Sequence, residues 1–490
     1  MPDPEVNNRM GRLTVFTIAD CQHCAKAKRL LDENNIGFYE ISLTDYPEKR
    51  ADMIKASQRM TVPAIFLNES FLGGAKELAE LMESGMFATL WEEANRCEFN
   101  DIGGLLSRPD HPANPIEHPR PRKIQVVERN GVSLSFVDCL LRLRRELGVR
   151  FSGSSVLSFA LTTFQVAPND HKQGVGIASD MFKLGVFRGQ QDEVEFDVRS
   201  HYILPEVADP TMLNTFRDWD DRVDDPMVLV NSLKTLMQGL RSKYRDEKGL
   251  VDYIRLGEDE KFALFEEASC EVQKIELSKL DSNTRLAFCI NLYNVMILHA
   301  FAKVGVPDGN LARLHFFDNI GYVIGGHKYP LSTLENGVLR VNKVPPYHFF
   351  RTIPKGDGRQ ADVMPMLDNR IHFALNCGAH SCPPVKRFTS EAIQEELDLV
   401  SKSFFDDDNS VSIDPNTCSM TVSTIINWYK DDFGGGDQAV VETIKRWLPA
   451  EKVSVLEGLS SVRLEYFKYD WTTDAAMAKT YSNGKQCSVL

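Results

Sequence analysis

The sequence predicts a multidomain chain of mixed α/β and α+β type, and three observations carry that expectation. Its 490 residues suffice for about three domains of roughly 100–200 residues each. Near the start, apolar β-prone runs alternate with amphipathic helical ones around a tight cysteine pair. A polar stretch spaced by Pro109, Pro112, Pro115, Pro119 and Pro121 then sets that region apart from a longer one of helical and short strand-like runs.

Composition narrows the function classes. A net charge of −13 argues against nucleic acid as a partner, which would want a basic face. Ten cysteines with one tight pair do not form the dense framework of a small secreted domain, so a reducing, cytoplasmic setting is expected. Met1 to Met10 lacks the apolar run of a signal peptide, and no window is expected to approach the ~20 apolar residues of a membrane span.

The first element, Leu13 to Ile18, reads as a strand and Ala25 to Asn35 as a helix, with Cys21-Gln22-His23-Cys24 at the turn between them. A thiolate at the first turn of a helix meets unsatisfied backbone N–H groups and the positive end of the macrodipole, which lower its pKa. Cys21 is the expected attacking sulfur, and Cys24, one turn further in, the resolving one. Asp20 opposes thiolate formation, whereas His23 either favours it when protonated or is simply a solvated loop residue. Phe38 to Ser42 and Val62 to Leu67 follow as strands, with a helix over Pro47 to Gln58. Thr61-Val62-Pro63 suggests a turn with a cis peptide, and Gly73-Gly74 a tight turn before a helix over Ala75 to Glu83.

Cys-x-x-Cys, Thr-Val-Pro and Gly-Gly, in that order over residues 12–98, resemble the dithiol glutaredoxins, which have a thioredoxin-type fold. The resemblance implies Cys21 as nucleophile, Cys24 as resolving thiol and glutathione as co-substrate, with no metal. It also implies a glutathione site at Thr61, Val62, Pro63, Gly73, Gly74 and Glu77. The Val62 backbone would be the rail for the cysteinyl residue, and the glycine turn would receive the γ-glutamyl end. Two departures stand out: Lys76-Glu77 replaces the usual acidic or hydroxyl pair, and the lysine often found just before the first cysteine is missing.

After the linker at 99–123, a helix is expected over Ser133 to Leu147 with Ser133 as N-cap, then helices over Ser154 to Gln165 and Ile177 to Leu184. A β-ribbon is expected from Gly185 to Phe187, Glu193 to Val198 and Tyr202 to Leu204. Three helices and a ribbon over 124–207, with Gly-Ile-Ala-Ser-Asp-Met-Phe-Lys-Leu-Gly-Val-Phe at 176–187, resemble a DEP domain. That resemblance implies recruitment to a membrane or receptor, and intracellular signal transduction.

Residues 208–250 read as a helical connector, and 251–470 as an α+β unit. Its Phe-Cys-Ile-Asn-Leu-Tyr-Asn-Val, Arg-Ile-His-Phe-Ala-Leu-Asn-Cys-Gly-Ala-His-Ser-Cys-Pro-Pro and Trp-Tyr-Lys-Asp-Asp-Phe resemble domain-of-unknown-function family 547, which implies no activity. Asp368 to Cys377 reads as a strand and Gly326 to Arg340 as a turn and a short helix. Asn291, Asn294, His372, Cys377 and Cys382 put polar groups where a core prefers apolar ones. One reading is a papain-like or transglutaminase-like thiol hydrolase, with Cys377 or Cys382 as nucleophile and His372 as base. The other is a satisfied buried network in which Asn291 and Asn294 bond the 376–382 loop. The two cysteines could also close a small disulfide or offer half a zinc site, but no second pair completes a zinc tetrathiolate.

Residues 471–490 read as a flexible tail whose Cys487-Ser488-Val489-Leu490 fits a prenylation box. Two function classes are consistent with these features. One is a glutathione-linked thiol–disulfide oxidoreductase with an electron-transport role, acting on disulfide or glutathionylated proteins. The other is a redox-sensing adaptor at the membrane periphery, held by the DEP-like segment and a lipid on Cys487.

Overall fold

The computed structural model describes residues 12–481 apart from 19–20, 35, 44–45, 47–48, 95–104, 107–125, 191–192, 220–221, 384 and 460. The proline-spaced linker, Asp20 and Cys487 therefore lie outside the described residues, save that 105 and 106 of the linker are described. Two compact units emerge: residues 1–120 with 394–400, and residues 121–393 with 401–490.

In the first unit the strands are β1 (Leu13–Thr17), β2 (Tyr39–Ser42), β3 (Ala64–Leu67) and β4 (Ser70–Gly73). They form one sheet in the order β2-β1-β3-β4, with β1 parallel to β2 and antiparallel to β3. Every residue of β1 is buried, as befits a central strand covered on both faces. Helices α1 (Gln22–Glu33), α2 (Lys49–Ser57), α3 (Ala75–Glu83) and α4 (Met86–Ala94) complete the unit. Ala27 and Leu31 of α1 share a core with Leu13, Val15, Ile65 and Leu78. Helix α1 starts three residues earlier than the apolar pattern suggests, so Cys24 already lies in its first turn. The Val62–Pro63 peptide is cis.

The second unit opens with the hairpin β5 (Val126–Arg129) and β6 (Val132–Ser135), turned by Asn130 and Gly131, both at positive φ. Helix α5 (Phe136–Leu147) is capped by Ser135, which accepts from the Asp138 amide at 3.1 Å. Ser133, expected as the cap, sits instead in β6 opposite Glu128. Then come β7 (Arg150–Ser152), α6 (Gly153–Thr163), α7 (His171–Lys183), β8 (Arg188–Gly189) and β9 (His201–Ile203), with sheet order β7-β9-β8. The expected strand at 193–198 does not form. The buried Tyr202 ties that stretch into a turn, its hydroxyl accepting from the Asp197 amide and donating to the Asp197 carbonyl. The core of this region continues into Phe216, Trp219, Ala263 and Cys270.

After α8 (Pro205–Ala208), the described residues of the expected helical connector are helical over α9 (Pro226–Lys243), which starts with Asp225 accepting from two amides. Next are β10 (Val251–Asp252), α10 (Tyr253–Gly257), α11 (Glu260–Ser269) and the central α12 (Ser282–Lys303). Contrary to the expectation from composition, α12 is long and apolar enough to cross a membrane. Its most apolar 18-residue window is 94% buried within the fold, which makes it a core helix. Around it lie β11 (Val306–Pro307), α13 (Asn310–Asn319), the hairpin β12 (Gly321–Ile324) and β13 (His327–Pro330), and a π-helix at Thr333–Leu339.

Asn369–Phe373 forms a 3-10 helix rather than the expected strand. The Asp368 carboxylate accepts from the Arg370 amide at 3.0 Å, and the Arg370 guanidinium clasps the same carboxylate, so the chain turns there. The remainder comprises α14 (Ile393–Asp406), β14 (Val411–Asp414), β15 (Ser419–Val422), α15 (Thr424–Trp428), a 3-10 turn at Lys430–Phe433, α16 (Asp437–Lys445), α17 (Ala450–Glu457) and β16 (Arg463–Tyr466). Residues 475–481, placed in a flexible tail by the sequence, hold two short strands: β17 (Ala475–Met477) pairs with β10, and β18 (Thr480–Tyr481) with β11.

Candidate functional site

The dithiol sits where β1 hands the chain to α1. Cys21 is half-buried immediately before the helix, and Cys24 is 2% exposed in its first turn. Their Cα atoms are 5.2 Å apart and the sulfurs are joined as a disulfide. The Cys24 amide donates to the Cys21 sulfur at 3.0 Å, and the Ala25 amide to the Cys21 carbonyl at 2.9 Å. One backbone donor, the Cys24 amide at the helix start, thus points at the outer sulfur, which favours its anion. His23 is exposed.

Of the expected glutathione residues, Thr61, Val62 and Pro63 lead into β3, Gly73 ends β4, Gly74 caps α3 and Glu77 lies in its first turn. Gly73 has φ +122, and a Cβ there would come within 2.6 Å of the Glu77 side chain, so glycine is required. The two clamp positions behave differently. Lys76 points to solvent, 3.8 Å from Glu80. Glu77 accepts from the Gly74 amide at 3.0 Å and from Arg59 at 2.6 Å, and the Arg59 bond lowers its pKa below the ordinary carboxylate value. Arg59, which also lies over the Phe71 ring, carries no signal in the sequence.

A cavity of about 560 Å³ opens in the second unit, and His372, Cys377 and Cys382 all line it. The thiols of Cys377 and Cys382 are 3.0 Å apart, and Tyr469 Oη reaches both, at 3.5 and 3.1 Å. The Cys377 amide also points to the Cys382 sulfur, at 3.2 Å. Burial works against a Cys382 thiolate, but these donors outweigh it and bring its pKa down to about 7, while Cys377 is pushed up. Sequence reasoning misses Tyr469, because nothing local marks a tyrosine 87 residues downstream as a thiol partner.

His372 is 4% exposed and stacks on Tyr429, with ring centroids 4.0 Å apart. Its Nε2 lies 2.8 Å from Asp432, which also takes Arg340 at 2.7 and 3.0 Å and Lys343 at 2.8 Å. Burial lowers the His372 pKa despite Asp432, so the ring is neutral and donates to the carboxylate. Among the described residues neither ring nitrogen bonds to a sulfur. The structure therefore brings His372 and the thiols to one cavity without assembling a nucleophile–base pair.

Asn291 and Asn294 are buried in α12 and pin the chain on either side of the cysteines. Asn294 donates to the Ala374 carbonyl at 3.0 Å and accepts from the Asn376 amide at 2.8 Å. Asn291 bonds both backbone groups of Phe388, at 2.7 and 3.1 Å, and accepts from the buried Lys234 at 2.9 Å. Among the described residues no group of three or more His, Cys, Asp or Glu is arranged to hold a metal ion.

Two family models match this chain: glutaredoxin over residues 13–72, and the family described as protein of unknown function DUF547 over residues 277–405. Glutaredoxin 1 of Rickettsia conorii is 37% identical over 82 residues, which are 16% of this chain and 80% of that protein. Glutaredoxin 3 of Escherichia coli is 36% identical over 76 residues, or 16% and 92% of the two chains. The solution structure of a glutaredoxin from Brucella melitensis is 35% identical and covers 17% of this chain and 90% of its own, with a TM-score of 0.16.

Proposed function

Because the chain belongs to the glutaredoxin family through its N-terminal domain, we propose that it is a glutathione-dependent thiol–disulfide oxidoreductase acting on glutathionylated or disulfide-bonded proteins. The observation that carries the reading is the asymmetry of the dithiol: a half-buried outer sulfur that accepts from the Cys24 amide, with its partner buried in the first turn of the helix. Reduced Cys21 attacks the glutathione sulfur of a mixed disulfide and expels the protein thiolate. A second glutathione thiolate then attacks the Cys21-bound glutathione, giving glutathione disulfide and free Cys21. With a protein disulfide as substrate, Cys24 attacks the Cys21 mixed disulfide instead.

Glu77 is already engaged by Arg59 and Gly74, and Lys76 brings a positive charge, so glutathione is held with less charge complementarity than an acidic pair would give. In the same reading residues 124–207 recruit the chain as a DEP-like module and take no part in the chemistry. The test is turnover of a glutathionylated peptide by the full chain with glutathione and a regenerating reductase. Cys21→Ser is expected to lose at least ~100-fold in rate, and Cys24→Ser to retain turnover on this substrate. No turnover above background by the wild-type chain would leave it an adaptor, and wild-type turnover in Cys21→Ser would take the chemistry away from Cys21.

A further inference from the structure

The second unit holds a pair of thiols that the oxidoreductase reading leaves unused. Of the four other cysteines described there, Cys418 is partly exposed but does not line the cavity, whereas Cys139, Cys270 and Cys289 are fully buried, and burial pushes their pKa values up to about 12 or beyond. Such thiols are inert. Cys377 and Cys382 differ in every relevant respect: both are partly exposed, both line the cavity, and their sulfurs are in contact at 3.0 Å. A disulfide needs about 2.05 Å, so closure asks for a movement of roughly 1 Å.

The loop between them is built to hold that approach. The Cys382 amide donates to the Ala379 carbonyl at 3.0 Å, and Asn376 ties both ends of the loop, accepting from the Gly378 amide at 2.7 Å and donating to the Pro383 carbonyl at 2.7 Å. Gly378, at φ +86, lies against Phe301 where a Cβ would come within 2.4 Å of the ring, so the turn admits only glycine. Tyr469 and the Cys377 amide supply donors to the Cys382 sulfur.

We propose that Cys377 and Cys382 form a second redox centre, a dithiol on the cavity wall that closes to a disulfide and is reopened by the Cys21–Cys24 dithiol. Closure with glutathione disulfide balances in two steps. The Cys382 thiolate attacks one glutathione sulfur and expels the first glutathione thiolate. Cys377, on losing its proton to solvent, attacks Cys382 Sγ and expels the second, so two thiols are oxidised and one glutathione disulfide is reduced. Reopening runs through Cys21, which attacks one sulfur of the pair and frees the other as a thiolate. Cys24 then attacks Cys21 and releases the remaining cysteine, leaving Cys21–Cys24 as the disulfide that glutathione reduces. Because the sulfurs and Tyr469 form part of the wall, closure changes the polar groups the cavity presents to a ligand. Reopening rests on the oxidoreductase activity proposed above, whereas closure does not.

Peptide mapping of the full chain, equilibrated in glutathione buffers of graded oxidation, tests both halves. The expected result is a 377–382 cross-linked peptide lighter by two hydrogens. With reduced glutathione it should reopen at least ~10-fold faster in wild type than in Cys21→Ser. Two free thiols at 377 and 382 in buffers that fully oxidise Cys21 and Cys24 would overturn the proposal. So would equal reopening rates in wild type and Cys21→Ser, provided the wild-type chain turns over a glutathionylated peptide. If it does not, the oxidoreductase reading is what has failed, and the appearance of the cross-link alone decides whether the second centre exists.

Discussion

At the scale of single residues, the chain keeps several titratable groups in fixed charge states, and His299 is the one with the clearest consequence. It is fully buried in α12, its Nδ1 lies 2.7 Å from the Tyr322 hydroxyl, and Phe262 and Phe265 pack edge-on to its ring. Its Nε2 lies 3.7 Å from Glu266, beyond hydrogen-bond reach, and Glu266 is already bonded to Lys303. Burial lowers the His299 pKa to about 4, from an ordinary value near 6.5. In that window the unfolded chain takes up a proton that the folded chain refuses, so stability falls as pH drops from about 6.5 to about 4. The slope is at most about 1.4 kcal/mol per pH unit and the total about 3 kcal/mol. Carboxylates also titrate at the lower end of the range, so the informative quantity is a difference. Urea midpoints of the full chain and of His299→Gln, each taken near pH 7 and near pH 4.5, should show a smaller acid loss in the variant. Identical losses would mean that His299 is already charged in the fold.

At the scale of elements, the dithiol turn and three of the four strands of the first sheet were legible because their signals are local. Strand residues, a cysteine pair at a helix start and a proline-bearing turn all sit within a few positions of the structure they specify. The 3-10 helix at Asn369–Phe373 was not legible as such. Its apolar residues fit a strand, and the decisive event is one Asp368 side chain capturing the Arg370 amide. The partners of the candidate cavity were hidden for another reason: Asp432 reaches Arg340 across 92 positions, and Tyr469 reaches Cys382 across 87. Helix α12 joins the two kinds of information, since its asparagines stand out in the sequence while their partners appear only in the fold. Asn294→Ala leaves the buried Ala374 carbonyl and the Asn376 amide unpaired. The expected loss is about 1–3 kcal/mol. The 376–383 loop would also loosen, so alkylation of Cys377 and Cys382 by iodoacetamide in the reduced chain should accelerate. An unchanged alkylation rate would show that Asn376 and Gly378 hold the loop without α12.

At the scale of the whole molecule, chain order and spatial order part company in the second unit. The sequence places a boundary after residue 470, because the final twenty or so residues are mostly small and polar. In the fold this stretch returns to elements laid down some 170 to 230 residues earlier, as the spacing of its side-chain bonds shows. Strands β17 and β18 pair with β10 and β11, and Tyr481 bonds His315 at 2.8 Å. Asp474 accepts from Arg241 and, at 2.9 Å, from Tyr253 Oη. Trp471 lies between Arg313 at 3.9 Å and Trp428 at 5.3 Å and forms part of the cavity wall. Ending the chain at residue 470 removes all of these at once and leaves the largely buried Arg241 without its carboxylate. Loss of one partner of such a partly exposed pair alone costs about 1–3 kcal/mol. A chain ending at 470 should therefore unfold its second unit at a clearly lower urea concentration. The Asp474→Asn variant of the full chain should reproduce part of that shift, because it removes the charge while keeping both strands. The first unit contains none of these residues. Turnover of a glutathionylated peptide, measured well below the denaturant midpoint, should survive both changes, and its loss in Asp474→Asn would mean that the two units depend on each other for folding.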